Sequence, residues 1–242
     1  MHMPLTKEVG SHRAFSLVEL LVVMAVIGIL ATIVITVIGS LREQARLSQG
    51  IANLKQIGNA LHLYAVDHNG KLPYSWKQND TDWGLEVSGY IQGSGTRYSS
   101  SNAYRSEVFT DPNASIDGGS LHFSAHQLLM PPYSKNNYND QINIAAIQNP
   151  SELVIVADSA QNDGGMSQAG LRPRCFKLTS NDYTGDLNDP VPLDDNLDGN
   201  SYTGNVRYRV KNDTAAKFLF VDGHVEVINM GELKYRNTVF QR

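Results

Sequence analysis

Several groups of side chains in this sequence have types and spacings that chemistry uses. His122 and His126 stand four apart, the separation at which two imidazoles on one helix face share a zinc ion. The glutamate that a zinc protease places beside the first histidine is missing, and Pro131-Pro132 follow closely, so no zinc site is expected. In "DDNLDGN", Asp194, Asn196, Asp198 and Gly199 match the first half of an EF-hand loop, where alternate oxygens wrap calcium and glycine makes the bend. The position of the bidentate glutamate holds Asn205, which leaves half a calcium site. Calcium at Asp194, Asn196 and Asp198 is the one cofactor expectation the chain carries. Asp222 and His224 flank Gly223 with no nucleophile beside them, and tight-turn chemistry accounts for all three. His62 and His68 fall on a polar helix surface and are read as solvated, and Cys175, the single cysteine, forms no intramolecular disulfide. Glu19 is the remaining candidate: an acid at the start of a long apolar run.

Hydropathy gives the elements that must position these groups. The chain has 242 residues and a formal net charge of -4 with scattered signs, which argues against the basic face of a nucleic-acid binder. Between Leu20 and Ile38 no residue is charged, and Leu, Val, Ile, Met and Ala dominate. About 20 such residues, each rising about 1.5 Å in a helix, match the ~30 Å hydrocarbon core of a bilayer. Buried core helices rarely stay apolar on all faces for so long. A secretory signal peptide would have a shorter apolar region, about 7–15 residues, and no acid within it. The run is therefore a membrane helix, with Lys7 and Arg13 holding the short preceding arm in the cytoplasm and residues after Ser40 outside it. An acid in such a span costs a few kcal/mol and marks a functional site, unless its carboxylate merely snorkels to the headgroups.

Beyond the span, Leu47, Ile51, Leu54, Ile57, Leu61 and Tyr64 recur in steps of three and four, one face of an amphipathic helix. Arg46, Gln49, Asn53, Lys55, Gln56 and Asn59 take the other side. Gly50 and Gly58 each cost about 1 kcal/mol against Ala in a helix interior, so they soften the rod or permit close packing. "DHNGKLP" ends the helix through Gly70 and Pro73. From Trp76 to about Asn143 the sequence reads as loops and short strands. A buried strand is expected over Glu152–Ala157, a half-exposed alternating strand over Val206–Val210, and a hairpin in "KFLFVDGHVEVI" with Asp222-Gly223 as a type I′ turn. The fold class is α+β: a long N-terminal helix, membrane half plus amphipathic half, packed on a C-terminal antiparallel sheet. The division is a membrane helix over 15–40, an amphipathic stalk over 41–68 and a globular head over 69–242.

"AFSLVELLVVMAVIGILA" resembles the N-terminal cleavage and methylation segment of type IV prepilins and type II secretion pseudopilins. Phe15, Ser16, Leu17, Val18, Glu19 and Leu20 occupy the positions of the family's Phe-Thr-Leu-Ile-Glu-Leu. The resemblance implies that residues 1–14 are a leader, and that a prepilin peptidase and methyltransferase in the inner membrane cuts between Ala14 and Phe15 and methylates the new amine. Ala14 stands where the family prefers glycine. It further implies that Glu19 pairs with the charged Phe15 amine of a neighbouring subunit in the filament, so that two charges costly alone in lipid offset one another. "IQNPSELVIVADS" with "KFLFVDGHVEVI" is similar to prepilin-like proteins carrying a C-terminal His, nine residues, then Asp-Gly; Asp222 and Gly223 match, and Asn212 replaces the His. Major pseudopilins hold calcium in a C-terminal loop, which by analogy points to residues 194–205. The function implied is structural: a pilin-like subunit of a type II secretion pseudopilus or a type IV pilus, single-pass in the inner membrane with its head extracytoplasmic, partnered by like subunits and not an enzyme. The alternative is a membrane-anchored extracytoplasmic binding module or enzyme that keeps an uncleaved signal anchor.

Overall fold

The computed structural model describes residues 16–77, 81–91, 95–97, 104–116, 122–133, 141–161, 183–193, 195–199 and 205–240. The fold is α+β, with one long N-terminal helix and a C-terminal antiparallel sheet of four strands. Contacts divide the chain into two units, Met1–Gln44 and Ala45–Arg242. Helix α1, Leu17–Asp67, begins in the first and ends in the second.

Within the first unit the large apolar side chains of α1 from Leu17 to Leu41 are exposed. An 18-residue window there reaches a mean hydropathy of 3.0, the one helix among the described residues long and apolar enough to cross a membrane. Two hydroxyls turn back on the helix itself: Thr32 donates to the Gly28 carbonyl at 2.8 Å and Ser40 to that of Val37 at 3.0 Å. Such bonds give these two hydroxyl donors a partner that desolvation would otherwise leave them without.

In the second unit α1 buries Leu54, Ile57, Leu61 and Tyr64, the face expected from the three-and-four spacing, with Leu47 and Ile51 half-buried at its edge. Asn53 differs from expectation. It is buried, because its Nδ2 donates to the Thr110 carbonyl at 3.1 Å and so has a partner inside. Gly70, at φ +82°, stops the helix: its N–H donates to the Ala65 carbonyl at 2.7 Å, and a Cβ there would lie 2.7 Å from Asn143 Oδ1.

Short elements follow: β1 (Trp76–Lys77), β2 (Thr81–Asp82), α2 (Trp83–Ser88), β3 (Gly95–Arg97) and β4 (Tyr104–Ser106), paired as β1 with β2 and β3 with β4. The main sheet comprises β5 (Phe123–Ala125), β6 (Val154–Asp158), β7 (Ala215–Phe220) and β8 (Val225–Asn229), antiparallel throughout in that spatial order. Strand β6 starts two residues after the expected Glu152, which sits exposed in the preceding turn. Leu219 and Val221 join α1 in one apolar cluster, while Ala216, Phe218 and Phe220 pack with Tyr208, Ile228 and Leu233 in a second. Both faces of β7 are thus covered, and all six of its residues are buried.

A bulge in β6 sets the alignment. Val154 pairs with Phe220 and Val156 with Leu219, so Ile155 is the extra residue. Ile155 and Val156 consequently share the α1-side cluster, and the alternation beyond them is inverted. Two sequence expectations are corrected here. Val206–Val210 forms only isolated bridges, Val206 with Ser159 and Val210 with Ala215, and Arg207 and Arg209 are both 8% exposed rather than solvated. The Asp222-Gly223 turn is not type I′, which needs positive φ at both residues; only Gly223 has it, at +92°. Gly223 N–H donates to the Phe220 carbonyl (3.0 Å) and Phe220 N–H to that of His224 (2.9 Å), the bonds of a three-residue loop with glycine in the left-handed position.

Candidate functional site

The N-terminal site is built on the first turn of α1. Ser16 precedes the helix and Glu19 lies three residues on, the Ser-x-x-Glu spacing of a capping box. Glu19 Oε2 accepts the Ser16 backbone N–H at 2.9 Å, and the Ser16 carbonyl takes the Leu20 N–H at 3.3 Å. The carboxylate therefore satisfies one of the helix's orphan donors and sits where the helix dipole favours negative charge. Reading Glu19 only as a membrane acid missed this second task, although the spacing of Ser16 and Glu19 signals it. Ala14 and Phe15 lie outside the described residues.

A second constellation lies in the head, and the sequence reading did not assemble it. Lys217, fully buried in β7, places Nζ 3.0 and 3.1 Å from the two Asp111 oxygens and 3.1 Å from Asp158 Oδ2. Asp158 Oδ2 also accepts the Lys217 backbone N–H at 2.8 Å. The β6 bulge brings Asp158 to this face of the sheet. Arg209 reaches Asp111 at 3.3 Å and Asp198 at 3.4 Å and donates to the Ser159 carbonyl. Arg207 pairs with Asp198 at 3.0 Å and with the exposed Asp213 at 3.1 Å. Gly50 makes room for the lysine: a Cβ on it would stand 2.8 Å from Lys217 Cε. Gly58 does the same for Leu219, whose Cδ1 would be 2.9 Å from a Cβ on it. A lysine inside "AAKFLF", an aspartate ending "VIVAD" and arginines inside "VRYRV" were the available signal, since charges among strand apolar residues must be paired.

The electrostatics of the cluster divide its acids. Burial pushes Asp158 up to about 6, aided by the Asp111 charge and only partly opposed by Lys217 and Arg209. Burial would raise Asp111 too, but Lys217 and Arg209 outweigh it and hold the carboxyl below its usual range. Asp198 is likewise held low, where bonds from Ser115 and the Gln161 N–H with the two guanidinium groups overcome its burial. Among the described residues, Asp158 Oδ1 and Arg209 Nε are buried without a hydrogen-bond partner.

The calcium candidates fall partly in this cluster. Asp194 lies outside the described residues. Asp198 Oδ1 accepts the Gln161 N–H (2.7 Å), and Oδ2 accepts from Ser115 Oγ and Arg207. Asn196 Oδ1 accepts the Tyr208 N–H at 2.8 Å, while its Nδ2 donates to the Tyr208 carbonyl at 3.1 Å and the Asp213 carbonyl at 3.2 Å. An asparagine tied this way is a backbone clamp, and an aspartate flanked by two guanidinium groups does not fit a calcium ligand. Among the described residues no three His, Cys, Asp or Glu side chains gather as a metal site.

The histidines are also placed. His122 and His126 flank strand β5 and are not on a helix. His122 Nδ1 accepts the Asp111 N–H at 3.2 Å. His126 Nδ1 accepts the Leu128 N–H at 3.1 Å, so Nε2 carries the proton and donates to the Thr238 carbonyl at 2.7 Å. Burial lowers His126 to about 4. Asp222 Oδ1 accepts the His224 N–H at 3.1 Å and meets its ring Nδ1 at 2.6 Å, contacts local to the turn. Asn212 sits in the preceding turn, where Lys211, Asn212 and Asp213 have φ of 53°, 58° and 61°.

Residues 39–167 match the family model described as a protein of unknown function, DUF1559. The chain belongs to the DUF1559 family. Residues 10–35 match a second model, the prokaryotic N-terminal methylation motif. No curated protein and no solved structure matches the chain. With the methylation motif joined to the DUF1559 region, the chain is a type IV prepilin-like protein. The motif spans Ala14, Phe15 and Glu19 and the exposed apolar start of α1; the family region takes in the amphipathic part of α1, β5 and β6.

Proposed function

We propose that this chain is a structural subunit of a type II secretion pseudopilus or a type IV pilus. A prepilin peptidase removes residues 1–14 and methylates the Phe15 amine; the mature subunit waits in the inner membrane with its head outside the cytoplasm, then polymerises with like subunits through α1. The observation that carries this reading is the methylation motif over residues 10–35, which from Leu17 onward coincides with the part of α1 whose large apolar side chains are exposed. In a bundle of such helices, the Glu19 carboxylate pairs with the Phe15 amine of a neighbour and fixes the axial register. The loop carrying Asp198 is held by ion pairs with Arg207 and Arg209 and works without calcium. The head contributes no catalytic step. Co-expression with a prepilin peptidase, followed by N-terminal sequencing of the protein from membranes, tests the proposal: Phe15 is expected first. An intact Met1 would return the chain to the class of uncleaved membrane-anchored modules.

A further inference from the structure

A cleft of about 350 Å³ opens between the last turn of α1 and α2. Its size is that of small-molecule sites, and its walls join aromatic faces to a few polar groups. Tyr64 and His68 stack with centroids 3.8 Å apart and planes 6° from parallel, and Tyr90 stands edge-on to Tyr64 at 6.0 Å. Tyr74 lies under the Lys77 ammonium, 5.7 Å from the ring centroid. Glu86 bridges the floor: one oxygen pairs with Lys77 Nζ and the other accepts from the Tyr64 hydroxyl at 3.2 Å. Burial and the Glu86 charge raise the Tyr64 phenol, so it remains the donor of that bond. His68 Nδ1 meets the Tyr64 carbonyl at 2.8 Å; a carbonyl only accepts, so Nδ1 carries a proton.

We propose that this cleft binds a neutral saccharide. The Lys77–Glu86 pair in its wall is internally neutral and the Asp67 carboxylate bonded to the Tyr90 hydroxyl adds a negative charge at the edge, so the cleft offers no attraction to a phosphate or a carboxylate, and choline serves as the test for a cation. What it offers is the half-buried rings of Tyr74 and Tyr90 edged with hydrogen-bonding groups of both kinds: carboxylate oxygens, the remaining donors of the ammonium, phenols and an imidazole nitrogen. A sugar ring is the complement, with an apolar C–H face for the tyrosines and a rim of hydroxyls, each both donor and acceptor. The site needs no partner subunit and goes beyond the assembly role: a chain that never polymerised would still bind.

The test uses the full chain in a detergent without a sugar headgroup. Glucose, galactose, N-acetylglucosamine and their β-linked dimers, each at millimolar concentration, are examined by saturation-transfer NMR, with choline as a cationic control. At least one sugar should receive saturation and choline none. Tyr90→Ala, which removes the edge-on ring, should abolish the signal, while Tyr90→Phe should keep it. Glu86→Gln should weaken binding about tenfold, the loss of one hydrogen bond to a charged group. Melting curves of Tyr90→Phe and Tyr90→Ala establish that the fold is intact. No saturation of any sugar by the wild-type chain would overturn the proposal. So would choline binding that Tyr90→Ala abolishes, or sugar binding that a folded Tyr90→Ala retains.

Discussion

Two buried groups of the head titrate in opposite senses, and the stability of the protein between pH 4 and 6.5 follows from both. Asp158 is raised from 3.8 to about 6 by burial. Over that interval the folded chain binds the extra proton, so Asp158 makes stability fall as pH rises, by about 3 kcal/mol at ~1.36 kcal/mol for each pKa unit. His126 is lowered from 6.5 to about 4, also by burial. There the unfolded chain binds the extra proton, so His126 makes stability rise with pH, again by about 3 kcal/mol. Asp111 and Asp198, held low, act only below the ordinary carboxylate range: their contribution is present above it and lost as pH falls further. Wild type should therefore be nearly flat across the window, through cancellation.

Asp158→Asn removes one side of the balance. The amide oxygen can still accept the Lys217 backbone N–H now taken by Asp158 Oδ2, so the shape of the site is kept. Urea denaturation of the full chain in detergent, from pH 4 to 6.5, should show the variant gaining about 3 kcal/mol while wild type changes little. His126→Gln should slope the opposite way. Parallel curves for wild type and Asp158→Asn would refute the assignment, whatever the absolute loss of stability in the variant.

Gly50→Ala should destabilise the head by about 1–3 kcal/mol in the same denaturation assay despite alanine's better helix propensity, because the added methyl would stand 2.8 Å from Lys217 Cε and that lysine is pinned by two carboxylates. Calcium at millimolar concentration should leave the melting temperature where a chelator leaves it; a rise large enough for ligand in excess, about 2.7 kcal/mol at 100 times the dissociation constant, would reverse the reading of Asp198 as an ion-pair partner. Glu19→Ala should leave the chain in the membrane but lower the yield of sheared filaments, with Glu19→Gln between it and wild type, since breaking a buried charge pair costs about 3–5 kcal/mol; wild-type yield from Glu19→Ala would mean that the acid serves the helix cap alone.

Periodicity made the long helix and its apolar face legible, while α2, inside the stretch read as loops and short strands, was missed. Leu54, Ile57, Leu61 and Tyr64 are buried where spacing put them, and Gly50 and Gly58 lie against the Lys217 and Leu219 side chains of β7. What spacing does not carry is register. Nothing in "ELVIVADS" announces that Ile155 is an extra residue, yet that bulge decides that Asp158 meets Lys217. Alternation likewise made Arg207 and Arg209 look solvated, because a residue's polarity tells where it would go alone, not what charge waits opposite. The oxygens of Asn196 and Asp198 matched a calcium loop by type, and only their hydrogen-bond partners show that backbone amides and guanidinium groups claim them. Asp-Gly located the hairpin correctly but not its loop length, which depends on the pairing of Phe220 with His224.

The nine-residue spacing before Asp-Gly gains a physical meaning from the same strand. Asn212 and Asp222 sit in the turns at the two ends of β7, so the spacing measures one strand with its flanking turns. The first turn runs through three consecutive left-handed residues, a conformation that asparagine, aspartate and histidine tolerate better than most. Asn212 can therefore replace a histidine there without straining the backbone. Between the turns, the strand carries Lys217 and Leu219 toward Gly50 and Gly58 of α1. Those glycines are eight apart, and the two side chains they admit are two apart on one face of β7. Inserting one residue between Lys217 and Leu219 would put the two on opposite faces, so that either Leu219 loses its place against Gly58 or Asp111 and Asp158 lose their shared cation. The length of β7 between its two turns is thus a constraint on how the stalk helix docks on its own sheet.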